Sequence, residues 1–116
     1  MNDDDARRER IAGLKDLVDE EPDDVTARFM LATELAKVGE HGAAAVHFAT
    51  IVAQDPDYTA AYRGLGRTKI ALGDLDGARQ VFTAGLVVAD RTGDLQSGKE
   101  MASFLRRYVE GGGSET

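Results

Sequence analysis

The sequence repeats with a step of 34 residues, the distance that separates Pro22 from Pro56. Shifting the chain by this step places small or apolar residues on identical ones, in the pairs Ala27/Ala61, Leu31/Leu65, Gly39/Gly73, Ala44/Ala78 and Phe48/Phe82. Leu14 and Val18 continue the same columns upstream, as part of an incomplete copy. Because these positions are ones where packed helices need matched shapes, the period predicts a stack of similar helix pairs.

The order of residues within each copy resembles the tetratricopeptide repeat, in which W-x2-L-G-x2-Y is followed by A-x3-F and then P. The two copies together supply Leu31, Ala44, Phe48 and Pro56, then Tyr62, Leu65, Gly66, Ala78 and Phe82. The match is incomplete, since Lys69 replaces the second aromatic residue and Asp90 replaces the proline. The resemblance implies an all-α fold, a right-handed α-solenoid of antiparallel helix hairpins with about six helices.

Apolar periodicity, glycines and prolines predict the helix bounds. We expect helices over residues 4–20, 26–38, 43–54, 60–72, 75–88 and 95–109. They would form one domain over residues 1–110, with a half-repeat at 4–24, repeats at 25–58 and 59–92, and a capping helix at 94–109. Residues 111–116 offer nothing apolar to bury, so we expect a disordered tail there.

Charge and composition exclude several classes of partner. The formal charge of −7 argues against binding to nucleic acid or to a membrane surface, since both require a basic face. The chain has no cysteine, and no apolar run approaches the ~20 residues that cross a bilayer. The first residues, MNDDD, are acidic where a secretory signal would be basic and then apolar. We therefore expect a cytoplasmic protein.

Groups that could carry catalysis are scarce. His41 and His47 are six residues apart, which does not place them on one helix face, so we interpret both as surface or half-buried side chains. Gly64 and Gly66 lie inside a predicted helix, where close packing explains them better than a nucleotide fingerprint does. The acidic residues around Pro22 suit a solvated turn before a helix, with metal binding as the alternative. We expect no enzymatic activity, no cofactor and no metal.

The resemblance implies that the first helix of each hairpin lines a concave surface. On residues 26–38, Leu31, Leu35 and Val38 are expected to face the core. The side chains nearer the groove then include the candidate partner-binding residues Phe29, Thr33, Lys37, Arg63, Arg67 and Ile70. Two alternatives stay open. Arg63 and Arg67 would pair with acidic neighbours such as Glu34, and Phe29 would be an ordinary packing residue.

These features favour a non-catalytic protein–protein interaction module, whose groove binds a peptide or a partner subunit. Arginine binds a carboxylate through two parallel hydrogen bonds, so the expected ligand is a peptide that carries an apolar anchor residue and a carboxylate. The alternative is a homodimer in which capping helices form the interface, because the stripe of Met101, Leu105 and Tyr108 would exceed what one hairpin covers. Some tetratricopeptide proteins bind the C-termini of chaperones through a clamp of lysines, asparagines and arginine. Phe29 and Thr33 stand where the lysine and asparagine of the first clamp helix would, which argues against binding of chaperone C-termini.

Overall fold

The computed structural model describes residues 2–111, and within this range the chain contains helices and turns but no strand. The helices are α1 Asp3–Glu20, α2 Val25–Lys37, α3 His41–Gln54, α4 Thr59–Ala71, α5 Leu75–Thr92 and α6 Leu95–Phe104, followed by a π-helical segment, Leu105–Glu110. The predicted all-α solenoid of about six helices is confirmed. Apart from Gly111, the tail predicted at 111–116 lies outside the described residues.

Each helix packs mainly on its neighbours along the chain, so the fold is a row of hairpins. The pairs α2/α3 and α4/α5 are joined by short turns, which makes each pair antiparallel. At one end α1 packs on α2, and at the other α6 packs on α5 and α4. This arrangement leaves the first helices of the two hairpins, α2 and α4, side by side around a common surface.

Glycines and aspartates set the helix ends. Gly39 and Gly73 adopt φ values of +84° and +79° in the hairpin turns, a left-handed backbone that favours glycine. Asp24 caps α2, because its carboxylate accepts a hydrogen bond from the Ala27 amide at 3.0 Å. The acidic stretch around Pro22 thus contributes a helix cap. Within the described part of the chain no cluster of three or more acidic or histidine side chains is arranged to hold a metal ion.

Two glycines of α4 allow close helix packing, against α3 of the first hairpin at Gly64 and against α5 of the same hairpin at Gly66. A Cβ on Gly64 would lie 2.5 Å from Cζ of Phe48, and one on Gly66 would overlap the ring of Phe82. Phe48 and Phe82 are almost completely buried, and they belong to the two apolar clusters that form the core. Close helix packing therefore accounts for both glycines, as the sequence predicted.

Three helix bounds differ from the predicted ones by two residues or more. Helix α5 extends to Thr92 instead of ending near Val88, because Asp90 replaces the proline of the preceding repeat and Gly93 ends the helix with φ +78°. His41 is the first residue of α3 and does not lie in the turn. The last helix is α-helical only to Phe104 and then widens into the π segment.

Candidate functional site

A groove with a volume of about 460 Å³ runs between α2, α4 and the start of α3. Its lining residues are Phe29, Thr33, Ala36, Lys37, His41, Phe48, Ala60, Arg63, Gly64, Arg67, Thr68 and Ala71. The structure thus brings together five of the six residues that the sequence singled out. The sixth, Ile70, lies in a smaller neighbouring hollow.

Two aromatic side chains, Phe29 and Phe48, line this groove. The rings of Phe29 and Phe48 meet edge to face with their centroids 5.7 Å apart, and Phe29 also contacts Tyr58 at 5.3 Å. Gly64 has no side chain to cover the Phe48 ring from the α4 side. Phe29 is half-buried and packs at the edge of the core cluster while lining the groove. The packing and groove interpretations of Phe29 are therefore compatible.

The charged side chains that line the groove are basic. Lys37, Arg63 and Arg67 contribute to the lining, whereas none of the described lining residues is a carboxylate. The protein as a whole carries a formal charge of −7. Lys37 and Arg63 have acidic partners beside the groove, Glu34 and Glu100, so Arg67 is the lining residue that most favours a ligand with a negative group.

Arg63 is held by an acid from the last helix. Its Nη1 donates to Oε2 of Glu100 at 2.6 Å, and Gln96 donates to the other carboxylate oxygen at 2.9 Å. The hydrogen bonds from Gln96 and then Arg63 lower the pKa of Glu100 below its ordinary value. Arg63 therefore has a carboxylate partner already in place.

The prediction that Glu34 pairs with Arg63 or Arg67 is wrong. Glu34 accepts from Arg7 of α1 at 3.0 Å and lies 3.9 Å from the charged groups of Arg10 and Lys37. The reason is packing, since α1 covers this side of α2 and α6 comes up against α4. The alternative that the arginines pair with acidic neighbours is correct for Arg63, but with Glu100.

Arg67 lies one turn further along α4 and has different neighbours. Its guanidinium carbon lies 5.2 Å from the centroid of the Phe104 ring, which is a cation–π contact. Arg67 is exposed, and within residues 2–111 no carboxylate comes within ion-pair distance of it, although its charge contributes to the lowered pKa of Glu100. Of the two arginines, Arg67 is thus the one available to a carboxylate from outside the chain.

The smaller hollow has a volume of about 200 Å³ and lies directly beyond Arg67. It is lined by Arg67, Ile70, Ala71, Phe104 and Tyr108. Arg67 and Ala71 belong to the linings of both the groove and the hollow, so the two depressions are adjacent. The sequence placed Ile70 in the groove itself, whereas α4 turns it towards the C-terminal helix.

A family model described as tetratricopeptide repeat matches residues 35–99, more than half of the chain. The chain belongs to the tetratricopeptide repeat family. Proteins with these repeats generally mediate protein–protein interactions, and the family is generally non-catalytic. The groove between α2 and α4 is therefore the part of this tetratricopeptide protein to examine for a partner.

Two relatives are similar over nearly the whole chain. The TPR repeat-containing protein PA0015 of Pseudomonas aeruginosa is 40% identical over 97 residues, which cover 84% of this chain and 92% of that protein. The solution structure of protein BPP2914 from Bordetella parapertussis superposes with a TM-score of 0.78 at 33% identity, covering 90% of this chain and 91% of that one. Both similarities extend beyond the two full repeats into the flanking helices.

Sequence reasoning missed His41 and Phe48 as groove residues of this tetratricopeptide domain. Both line the groove, and Nδ1 of His41 is buried without a hydrogen-bond partner among residues 2–111. A usable signal existed, because His41 follows Lys37 across a short turn and so lies at the same end of the groove. The repeat predicted Phe48 only as a helix-packing residue, whereas its ring belongs to the core and also lines the groove.

The C-terminal stripe of the tetratricopeptide domain is more covered than the sequence suggested. Met101 is fully buried and Leu105 is 8% exposed, because both pack into the core cluster with Phe82. Only Tyr108, at 44%, presents a large exposed surface from this stripe. In the described part of the chain, no helix combines the length and apolar character needed to cross a membrane.

Proposed function

We propose that this protein is a non-catalytic adaptor whose groove between α2 and α4 binds a segment of a partner protein, through an apolar side chain and a carboxylate. One observation supports this most directly. Three basic residues, Lys37, Arg63 and Arg67, line the same groove as the Phe29 and Phe48 rings, in a protein of charge −7. The absence of cysteine fits a cytoplasmic setting for such an adaptor.

Each groove residue has a role that its position supports. The apolar side chain would lie against the Phe29 and Phe48 rings, where Gly64 leaves room. Arg67, which is held over Phe104, would take the carboxylate through two parallel hydrogen bonds. Thr33 and Lys37 line the opposite wall and would bind polar groups of the same segment.

The test is a display selection of random peptides on the purified protein, followed by affinity measurement with the selected sequences. We expect enrichment of peptides that combine Asp or Glu with an apolar residue. Arg67→Glu should weaken binding about tenfold or more, because a charge-assisted hydrogen bond is replaced by repulsion. Arg8→Glu is the matched control, since Arg8 is an exposed arginine on α1 outside the groove. Equal binding by the two variants would contradict the proposal.

Self-association through the C-terminal helix is the alternative proposal, and the exposed ring of Tyr108 is the feature that favours it. Sedimentation equilibrium at tens of micromolar would distinguish the two. Tyr108→Glu is the proper probe, because Leu105 is buried and its replacement would disturb the fold. A dimer that Tyr108→Glu converts to monomer would support self-association, and a monomeric wild type would exclude it at that concentration.

A further inference from the structure

We infer that the hollow formed by Arg67, Ile70, Ala71, Phe104 and Tyr108 is a second subsite of the groove, which takes an aromatic side chain of the bound segment. This inference rests on the proposed function. It adds that the ligand carries an aromatic residue close to its acidic residue, on the side that faces the C-terminal helix.

The groove and the hollow are adjacent. Arg67 and Ala71 line both, so a segment whose carboxylate reaches Arg67 passes directly over the entrance of the hollow. The hollow, at about 200 Å³, is less than half the volume of the groove. Its size suits one large side chain and not a further stretch of backbone.

An aromatic stack runs from the core to the surface beside the hollow. Phe82 is fully buried and stacks on Phe104 with centroids 5.9 Å apart, and Phe104 stacks on Tyr108 at the same distance. Tyr108 ends the stack with 44% of its surface exposed. Offset stacking and edge-to-face contacts favour aromatic over aliphatic partners at such a position. Ile70 supplies an apolar wall opposite the rings.

The charges around the hollow determine which residues of the ligand are favoured next to its aromatic residue. The guanidinium of Arg67 lies 5.2 Å from the Phe104 ring, and that of Arg107 lies 5.8 Å from the Tyr108 ring. None of the described residues that line the hollow is acidic. An aromatic residue flanked by Asp or Glu is therefore favoured there, and one flanked by lysine or arginine is disfavoured.

The backbone at this site is unusual as well. The last helix changes from α to π geometry at Leu105, immediately after Phe104, and Tyr108 lies within the π segment. Such segments are rare and occur often at functional sites. The π segment therefore lies at the proposed subsite, to which the C-terminal helix contributes the rings of Phe104 and Tyr108.

The experiment is a pair of parallel peptide selections, on the wild type and on Tyr108→Ala, with Val87→Ala as control. Val87 is an exposed apolar residue of α5 that lines neither depression. Wild type and Val87→Ala should enrich peptides with an acidic residue, an apolar anchor and a nearby Phe, Tyr or Trp. Tyr108→Ala should retain the acidic residue and the anchor but lose the aromatic preference. Ile70→Ala, which alters the opposite wall, should do the same.

The affinities of matched peptides then measure how much the aromatic side chain contributes to binding on each protein. For a selected peptide and its twin with the aromatic residue changed to alanine, we expect a loss of about fivefold or more on wild type and no loss on Tyr108→Ala. Equal losses on both proteins would overturn the subsite while leaving the groove proposal intact. Selection of no acidic peptide at all would instead contradict the proposed function. A wild-type dimer that Tyr108→Ala dissociates, with peptide affinity unchanged, would assign the hollow to a second copy and also overturn the inference.

Discussion

Arg63 and Glu100 are joined at 2.6 Å across the edge of the groove, which links the second hairpin to the C-terminal helix. Both side chains are about one-third exposed, at 28% and 35%, so the pair is accessible to solvent and to a ligand. Glu100 presents to Arg63 the same chemical group that the proposed ligand presents to Arg67. An incoming carboxylate therefore has to compete with Glu100 for Arg63, whereas Arg67 has no carboxylate within ion-pair distance among residues 2–111.

Glu100→Gln tests this competition. The amide keeps the size of the side chain but removes the negative charge, so Arg63 becomes available to the ligand. We expect the affinity for acidic peptides to rise about threefold to tenfold, with a steeper dependence on salt. The free energy of unfolding should fall by less than about 1 kcal/mol, because exposed ion pairs contribute little. Fluorescence anisotropy and urea unfolding measure the two effects.

Gln96→Ala is the control for that experiment. It removes the hydrogen bond from Gln96 to Glu100 at 2.9 Å but leaves the charge of Glu100. Its peptide affinity should stay close to that of wild type. An unchanged affinity in Glu100→Gln would show that Arg63 does not take part in binding.

Two glycines on helix interiors should respond in opposite directions to alanine. In Gly66→Ala the new methyl group would overlap the buried ring of Phe82, so we expect a loss of about 1–3 kcal/mol in the free energy of unfolding. In Gly13→Ala nothing lies within 4 Å of the new Cβ, and α1 should gain about 0.5–1 kcal/mol. Thermal and urea unfolding of both variants would check this. Stabilisation by Gly66→Ala would mean that the Phe82 ring moves easily.

His47 should make the stability fall in mild acid. Its Nδ1 lies 3.0 Å from Nη1 of Arg28, and because arginine can only donate, the ring accepts and is neutral. Burial, followed by the charges of Arg28 and Lys15, lowers the pKa of His47 below its ordinary value. The unfolded chain therefore binds this proton at a higher pH than the folded one. Stability is lost as the pH falls below about 6.5.

Urea unfolding at neutral and mildly acidic pH would measure that loss in wild type and in His47→Gln. The variant should show a smaller change over the same interval, because it lacks the titrating ring. A proton NMR titration gives the pKa directly, and the resonance that disappears in His47→Gln identifies the residue. A His47 pKa at or above the ordinary histidine value would contradict the prediction.

The sequence was informative where the repeat holds and less so outside it. Matched residues such as Phe48 and Phe82 predicted the hairpins, and helical spacing from Leu31 and Leu35 placed Phe29 and Arg67 towards the groove. The Arg63–Glu100 pair was not predictable in this way. Glu100 lies in a helix beyond the second repeat, whose register is not set by the 34-residue step, and only tertiary packing brings it to α4.

Phe29→Ala should affect stability and binding together, because Phe29 packs on Phe48 and Tyr58 while it lines the groove. We expect the free energy of unfolding to fall by about 1–3 kcal/mol, less than for a fully buried phenylalanine. Val52→Ala is the control, since Val52 is half-buried beside the same core but does not line the groove. At a temperature where both variants are folded, Phe29→Ala should lose peptide affinity and Val52→Ala should keep it. Equal affinities would make Phe29 a packing residue only, and the apolar anchor would then have to lie on Phe48 alone.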